Sequence, residues 1–182
     1  MSILLEVPFI TQLDIGGHVP GNKNTLNDYT GCWYASTCMV GYYFAQGPRH
    51  GVPELFTKQN VNLDGSTSTG HWAIPAGWMP TLMEREGLIA VADHATKTFS
   101  LEEVENLLKT KGPLMFSWMK THGGSTYGHV SVVIGTDDTG IIFHDPEKAP
   151  KSRMTIGDFD SKRYKYPGYP YYLLYSNMSG IK

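Results

Sequence analysis

The stretch from Thr30 to Ser36 reads Thr-Gly-Cys-Trp-Tyr-Ala-Ser and places a cysteine, Cys32, at the first turn of a predicted helix. We expect this helix over residues 32–45, with Thr30 or Gly31 as its N-cap. The N-terminus of a helix has unpaired backbone N–H groups and the positive end of the helix dipole, and both favour a thiolate. Because the thiolate is the nucleophilic form of cysteine, this position indicates a reactive side chain.

Two apolar segments far downstream carry groups that could assist this cysteine. Gly128–Gly135 reads Gly-His-Val-Ser-Val-Val-Ile-Gly and contains His129. Ile141–Pro146 reads Ile-Ile-Phe-His-Asp-Pro and contains Asp145. A cysteine, a histidine and an acid in this order are typical of a cysteine hydrolase, in which they act as nucleophile, base and orienting group.

The pairing of these two strands decides which side chain lies beside His129. The hairpin that we expect between them pairs Ile134 with Gly140. In this register His129 lies directly opposite Asp145 and shares its sheet face, whereas a slip of one residue would bring His144 to that face. We expect Asp145, because a carboxylate stabilises the imidazolium and fixes its tautomer. The alternative is that Asp145 only ends the strand in a turn.

Alternation along the first strand separates His129 from an apolar face formed by Val130, Val132 and Ile134. We expect that apolar face to pack against the core. His129 would then be directed away from the core and toward a cleft.

Composition limits the class of protein without identifying it. The chain has 182 residues, of which 41% are hydrophobic and 18% charged, and its net charge is -2. These values indicate a globular protein with no electrostatic footprint for nucleic acid. No apolar run approaches the roughly 20 residues that span a bilayer. Residues 1–8 lack the basic start and long apolar stretch of a secretory signal, so we expect synthesis in the cytoplasm without a Sec-type signal peptide.

The cysteine and histidine spacings argue against disulfides and metal sites. Cys32 and Cys38 are six residues apart on the predicted helix. That separation is roughly 9 Å at about 1.5 Å per residue, more than the ~7 Å reach of a disulfide. We expect two free thiols, with Cys38 buried. The chain has neither a His-x-x-x-His nor a Cys-x-x-Cys spacing, and no phosphate-binding glycine loop, so we expect no metal and no cofactor.

The order of the predicted elements indicates an α+β fold, in which helices are segregated from an antiparallel sheet. After the first helix, further helices are expected over Pro80–Glu86 and, from a capping box, over Ser100–Lys111. Strands follow over residues 114–119, 129–134, 141–145 and 171–175. We expect a single domain over residues 1–182, with a helical lobe over about 1–112 and a sheet lobe over about 113–182.

These motifs resemble those of the papain-like cysteine proteases, and in particular the bacterial branch with the C39-like and AvrRpt2-type effector proteases. In that branch a Val-Pro-aliphatic opening precedes a Cys-Trp helix, and a His-Val strand and an Asp-Pro turn follow. Val7–Phe9 and Gly112–Leu114 match that outline too. The resemblance implies a papain-like fold, with Cys32 as nucleophile, His129 as base and Asp145 as orienting acid.

One position departs from the family pattern. Papain-like enzymes usually have a glutamine six residues before the nucleophile, where its amide stabilises the oxyanion, but this chain has Leu26 there. Gln12 lies just after the family-like opening and takes that place if residues 13–30 carry an insertion. Asn27 has the same amide group and is the alternative. Losing one oxyanion donor costs about a hundredfold or more in rate, so we expect the chain to supply one, and we favour Gln12.

Together these features predict a thiol hydrolase that uses Cys32 to cleave a peptide or isopeptide bond in a protein or peptide substrate. The resemblance further implies a bacterial secreted effector or toxin, exported by a specialised secretion system. An NlpC/P60-type peptidoglycan amidase, which usually has Asp-Cys-Ser in place of Gly-Cys-Trp, and a cysteine acyltransferase are the alternatives among enzymes. A non-catalytic papain-like binding module is the alternative of another class, favoured by the missing glutamine and opposed by Cys32. The sequence leaves the oligomeric state open.

Overall fold

A computed structural model describes most of the chain, namely residues 2–14, 31–46, 49–52, 54–55, 59–61, 67–69, 74, 76–147, 149–165 and 171–179. Within these residues the helices are Cys32–Phe44 (α1), Met79–Glu86 (α2), Leu101–Lys111 (α3) and Ile156–Lys162 (α4). The strands are Ile3–Leu4 (β1), Gln59–Val61 (β2), Thr67–Thr69 (β3), Leu88–Ala90 (β4), Leu114–His122 (β5), Ser125–Thr136 (β6), Gly140–Asp145 (β7), Ala149–Thr155 (β8) and Leu173–Ser176 (β9). None of these helices is long and apolar enough to cross a membrane.

Seven of these strands form one antiparallel sheet. Its order is β4-β9-β5-β6-β7-β8, and β1 joins the end of β6. β2 and β3 form a separate antiparallel pair. The predicted α+β class is therefore confirmed, and α1 packs against this sheet.

The helix boundaries follow capping signals that are visible in the sequence. The Ser100 hydroxyl accepts a hydrogen bond from the Glu103 N–H at 3.2 Å, and the Glu103 carboxylate accepts one from the Ser100 N–H at 2.9 Å. These two bonds are the predicted capping box. α2 ends at Gly87, whose φ of 62° lies in the left-handed region that favours glycine. α1 begins after Gly31 and ends at Phe44, one residue before its predicted end.

Some elements carry sequence patterns too weak to be predicted. β4 has three residues, and β8 is an edge strand with mostly exposed side chains. α4 begins at the N-cap Thr155, whose hydroxyl accepts a hydrogen bond from the Asp158 N–H at 3.0 Å. Two strands of the main sheet, β1 and β4, come from before residue 113, and α4 comes from after it. The lobe boundary near residue 112 stays a prediction.

Helices cover both faces of the sheet. On one face α1 packs against β6 in a buried cluster that includes Trp33 and Val132. On the other face α3 and α4 cover a second cluster that includes Phe116 and Val133. His129 shares the face of Val133 and lies opposite the face of Val130 and Val132, as alternation predicts, and its side chain is buried. α3 and α4 bury this second face, and the sequence pattern does not reveal α4.

A close backbone contact at the end of β6 holds the N-terminal segment on the sheet. Ile3 pairs with Thr136, and Leu4 pairs with Gly135. A side chain at Gly135 would overlap the backbone oxygen of Ile3, so this approach requires glycine. The contact sets the path of the segment that leads from β1 into the site.

Candidate active site

A serine one turn after the cysteine orients α1 on the sheet. The Ser36 hydroxyl donates a hydrogen bond to the carbonyl oxygen of Val130 at 3.2 Å, and both groups are buried. Because residues four apart lie on the same face of a helix, Cys32 faces the same strand as Ser36. Val130 adjoins His129 along β6, and Cys32 lies near enough to His129 to raise the pKa of its imidazole. The fold therefore brings together the two groups that the sequence predicts as nucleophile and base.

His129 and Asp145 form a direct hydrogen bond. Nε2 of His129 lies 2.7 Å from Oδ1 of Asp145, and both side chains are buried. A carboxylate only accepts hydrogen bonds, so Asp145 fixes the tautomer that carries a proton on Nε2. Nδ1 is then the ring nitrogen that can take a proton from Cys32.

The predicted register of the β6–β7 hairpin is wrong by two residues. Pairing Ile134 with Gly140 would have placed Val132 opposite Ile142, but Val132 pairs with His144. A shift of two residues keeps every side chain on its face, because the side-chain period of a strand is two. Asp145 therefore still lies on the same sheet face as His129, which is why these two side chains are in contact despite the wrong register.

Hydrogen bonds in the turn explain the difference in register. The Asp137 carboxylate accepts hydrogen bonds from the backbone N–H groups of Thr139 at 2.9 Å and Gly140 at 3.0 Å. The Asp137 N–H in turn donates to the Gly140 carbonyl at 3.0 Å, which closes a tighter loop than the sequence suggests. A β-bulge between Val133 and Gly135 then shifts the pairing once more.

His144 makes hydrogen bonds of its own, away from His129. Its Nε2 donates to the carbonyl oxygen of Val7 at 2.9 Å, and its Nδ1 accepts from the Lys151 N–H at 3.2 Å. Burial lowers the pKa of His144, so the ring is neutral in this tautomer. Both ring nitrogens are engaged away from His129, and His144 does not take the place of the orienting acid.

Gln12 lies between α1 and the turn that follows β7. It belongs to a short 3-10 helix over residues 12–14 that packs against α1, and its side chain is buried. Its backbone N–H donates to the Pro146 carbonyl at 2.9 Å, and the Thr11 hydroxyl donates to the same oxygen at 3.0 Å. These bonds anchor the segment next to the catalytic candidates. The alternative amide, Asn27, lies outside the described residues.

A comparison with known protein families matches the part of the chain that contains these candidate residues. The sequence pattern of the family described as papain-like cysteine protease AvrRpt2 matches residues 13–164, a range that contains Cys32, His129 and Asp145 but not Gln12. The chain belongs to this family. It is a papain-like cysteine protease, as the sequence motifs predict.

A solved structure supports the same fold. The protease matches the crystal structure of a protein assigned as a C39-like peptidase from Bacillus anthracis, with a TM-score of 0.57 and 15% sequence identity. The match covers 98% of the protease and 99% of the other chain. At this low identity the likeness concerns the fold, and it confirms the papain-like architecture.

The charges around His129 favour its protonated form. Burial of the protease's imidazole acts to lower its pKa, but the hydrogen bond with Asp145 and the nearby Cys32 outweigh burial and raise the pKa of His129 to about 9. Burial acts to raise the pKa of Asp145, but the hydrogen bond from His129, together with one from Lys120, holds this pKa at about 2. At neutral pH the pair is therefore an imidazolium and a carboxylate.

Three further charged or polar residues surround this pair, and sequence reasoning missed them. Lys120 Nζ donates to Asp145 at 2.6 Å and to Glu147 at 2.8 Å. The Tyr127 hydroxyl donates to both carboxylate oxygens of Glu147, at 2.9 and 2.8 Å. Strand alternation could have found two of them, because Lys120 pairs with Tyr127 on the face that carries His129.

One group of side chains in the described part of the protease has the spacing of a metal site. Ligand atoms of His129, Asp145 and Glu147 lie within 4.8 Å of one another. However, the Lys120 ammonium already bonds to both carboxylates and supplies the balancing positive charge. The arrangement thus suits an internal ion-pair network better than a cation, and the absence of a metal stays a prediction.

The two cysteines of the protease have different surroundings. Both are free thiols, as expected from their spacing. Cys38 is 0% exposed, whereas Cys32, the first residue of α1, is 9% exposed. Burial is the main cause that raises the pKa of Cys38 to about 12, which leaves it as a protonated thiol at neutral pH.

Proposed function

We propose that the protease cleaves a peptide or isopeptide bond through a triad of Cys32, His129 and Asp145. The observation that carries this proposal is the 2.7 Å hydrogen bond between His129 Nε2 and Asp145, formed beside a cysteine at a helix N-terminus. A cysteine, an imidazole and an orienting carboxylate in this arrangement can perform acyl transfer, whereas a binding module needs none of them.

The proposed reaction has two stages. His129 Nδ1 takes the thiol proton of Cys32, the sulfur attacks the scissile carbonyl, and a C–S bond forms as the C–N bond breaks. The imidazolium gives its proton to the leaving amine. Water, deprotonated by the same nitrogen, then breaks the C–S bond and releases a carboxylic acid. The hydrogen bond from His129 Nε2 to Asp145 supports the imidazolium that this proton transfer forms.

The amide of Gln12 completes the oxyanion site in this proposal. The backbone N–H of Cys32, in the first turn of α1, is one donor, because such N–H groups have no partner within a helix. The anchoring of Gln12 on Pro146, next to α1, supports the amide as the second donor.

Replacing Gln12 with alanine should lower turnover by about a hundredfold, since one oxyanion donor is worth that much in acyl transfer. The measurement is kcat on a peptide selected from a fluorogenic library, with Thr11→Ala as the control because Thr11 has the same anchor but no amide. Full activity of Gln12→Ala would assign the second donor to another group, of which Asn27 is the first to test.

Selective alkylation tests the nucleophile directly. Iodoacetamide at neutral pH should modify Cys32 much faster than Cys38, because Cys32 keeps 9% exposure beside an imidazolium, whereas Cys38 is 0% exposed and burial raises its pKa. Site mapping by mass spectrometry gives both rates in one sample. Equal rates, or faster labelling of Cys38, would rule out the assignment of Cys32.

We also propose that the protease acts as a bacterial secreted effector or toxin on protein substrates in a target cell. Its membership of the AvrRpt2 family supports this role. The experiment is to express the wild-type chain and Cys32→Ala in eukaryotic cells and to compare new protein N-termini by mass spectrometry. Cleavage sites found only with the wild type would identify substrates, and identical sets of N-termini would contradict the role.

A further inference from the structure

Glu147 faces the ring nitrogen of His129 that does not bond to Asp145. Its Oε1 lies 3.7 Å from Nδ1, while Asp145 holds Nε2 at 2.7 Å. We propose that Glu147 is a second positioning carboxylate of the protease, which holds the His129 imidazolium in place while Cys32 is being acylated. The inference rests on the triad proposed above and assigns a further residue to the same site.

The position of Glu147 is fixed by its own hydrogen bonds. Tyr127 donates to both carboxylate oxygens, and Lys120 donates to Oε2 at 2.8 Å. The Glu147 backbone N–H donates to Oδ1 of Asp145 at 3.0 Å, which ties the two acids together. The Glu147 side chain is only 21% exposed. A carboxylate held on this many sides keeps one position near Nδ1 and cannot swing away as a surface glutamate does.

The charges around His129 indicate the step of the reaction at which Glu147 acts. Two carboxylates, Asp145 and Glu147, balance the Lys120 ammonium and the protonated imidazole, and the uncharged Tyr127 hydroxyl completes the shell. In the proposed reaction Cys32, once it has given up its proton, is the other negative group near this ring.

The thiolate loses its charge when its sulfur attacks the carbonyl carbon. From that moment until the proton reaches the leaving amine, the imidazolium has lost its sulfur partner at Nδ1. Glu147 remains there as a negative group, because it takes no part in the reaction. Without Glu147, Asp145 would be the one carboxylate of this pair left beside the imidazolium during this interval. Both the orientation and the positive charge of the ring would then be less well stabilised.

The test is an NMR titration of His129 in the intact protein, labelled with ¹⁵N in its histidine rings. Glu147→Gln keeps the size of the side chain but removes the charge and replaces one acceptor oxygen with an NH2 donor, and we expect it to lower the pKa of His129 by about one unit. Lys120→Met removes a positive charge from the same cluster, and we expect it to shift the pKa upward. Glu102→Gln is the matched control, an exposed glutamate on α3, and should cause no shift.

Opposite shifts in the two cluster variants would support the proposal, since simple loss of structure would move both toward the ordinary value. No measurable shift in Glu147→Gln, or shifts of both variants in the same direction, would overturn it. If Glu147→Gln fails to fold, Glu147→Asp retains the charge on a shorter arm, and a wild-type pKa there would also overturn it. The titration needs no turnover, so an unreactive Cys32 would refute the proposed triad without deciding the role of Glu147.

Discussion

Replacing Cys32 with alanine should abolish peptide cleavage. In the proposed mechanism the sulfur forms the acyl-enzyme bond, so its loss removes the covalent step itself. Loss of the nucleophile in enzymes of this kind costs on the order of a millionfold in turnover. The measurement is cleavage of a peptide selected from a fluorogenic library, combined with mass spectrometry for an acyl group on the tryptic peptide that contains Cys32.

Cys38→Ala is the matched control, because it removes the same atom six residues further along the same helix. Cys38 is fully buried, so we expect a loss of stability of about 1–2 kcal/mol. Activity per folded molecule should remain at the wild-type level. Cleavage that survives Cys32→Ala, or that disappears in Cys38→Ala at equal folding, would contradict the proposed nucleophile.

The sequence predicts the central site well because its signals are local. A cysteine after Gly31 marks a helix start, and an apolar strand beginning at His129 marks the strand that this helix packs on. The contact between His129 and Asp145 follows from strand alternation, which survives an error of two residues in the register. The sequence therefore determines the sheet face on which each side chain lies, but not which residues pair.

The register itself depends on interactions that alternation does not encode. The Asp137 side chain closes the β6–β7 turn by accepting backbone hydrogen bonds, and the bulge before Gly135 adds a further shift. Either feature follows from the exact geometry of a few residues, whereas the alternating pattern is the same for several registers.

The cluster around His129 is harder still to predict, because its members come from different elements. Lys120 lies on β5, Tyr127 on β6 and Glu147 in the turn after β7. Alternation could place Lys120 and Tyr127 on the face of His129, but Glu147 lies in a turn, and its sequence context alone would assign it to the solvent. The three side chains come together around one imidazole because β5, β6 and β7 are neighbours in the sheet, and that strand order is a property of the whole fold.

Replacing Asp145 with alanine should lower turnover by about a hundred- to ten-thousandfold while leaving measurable cleavage. The acid orients His129 and supports its charge, but it forms no bond to the substrate. The pH dependence should change as well. In the wild type the His129 pKa is raised to about 9, with the hydrogen bond to Asp145 as the main raising contribution against burial. Without that carboxylate, burial lowers the pKa, so the imidazolium is lost at a lower pH.

The alkaline limb of the pH–rate profile should therefore move to lower pH in Asp145→Ala, and a shift to higher pH would contradict this role. His144→Ala is the matched control one residue earlier. It removes hydrogen bonds to Val7 and Lys151 and should cost about 1–3 kcal/mol of stability. Its activity per folded molecule and its pH profile should match the wild type. If His144→Ala lowered turnover more than Asp145→Ala at equal folding, the acid that orients His129 would not be Asp145.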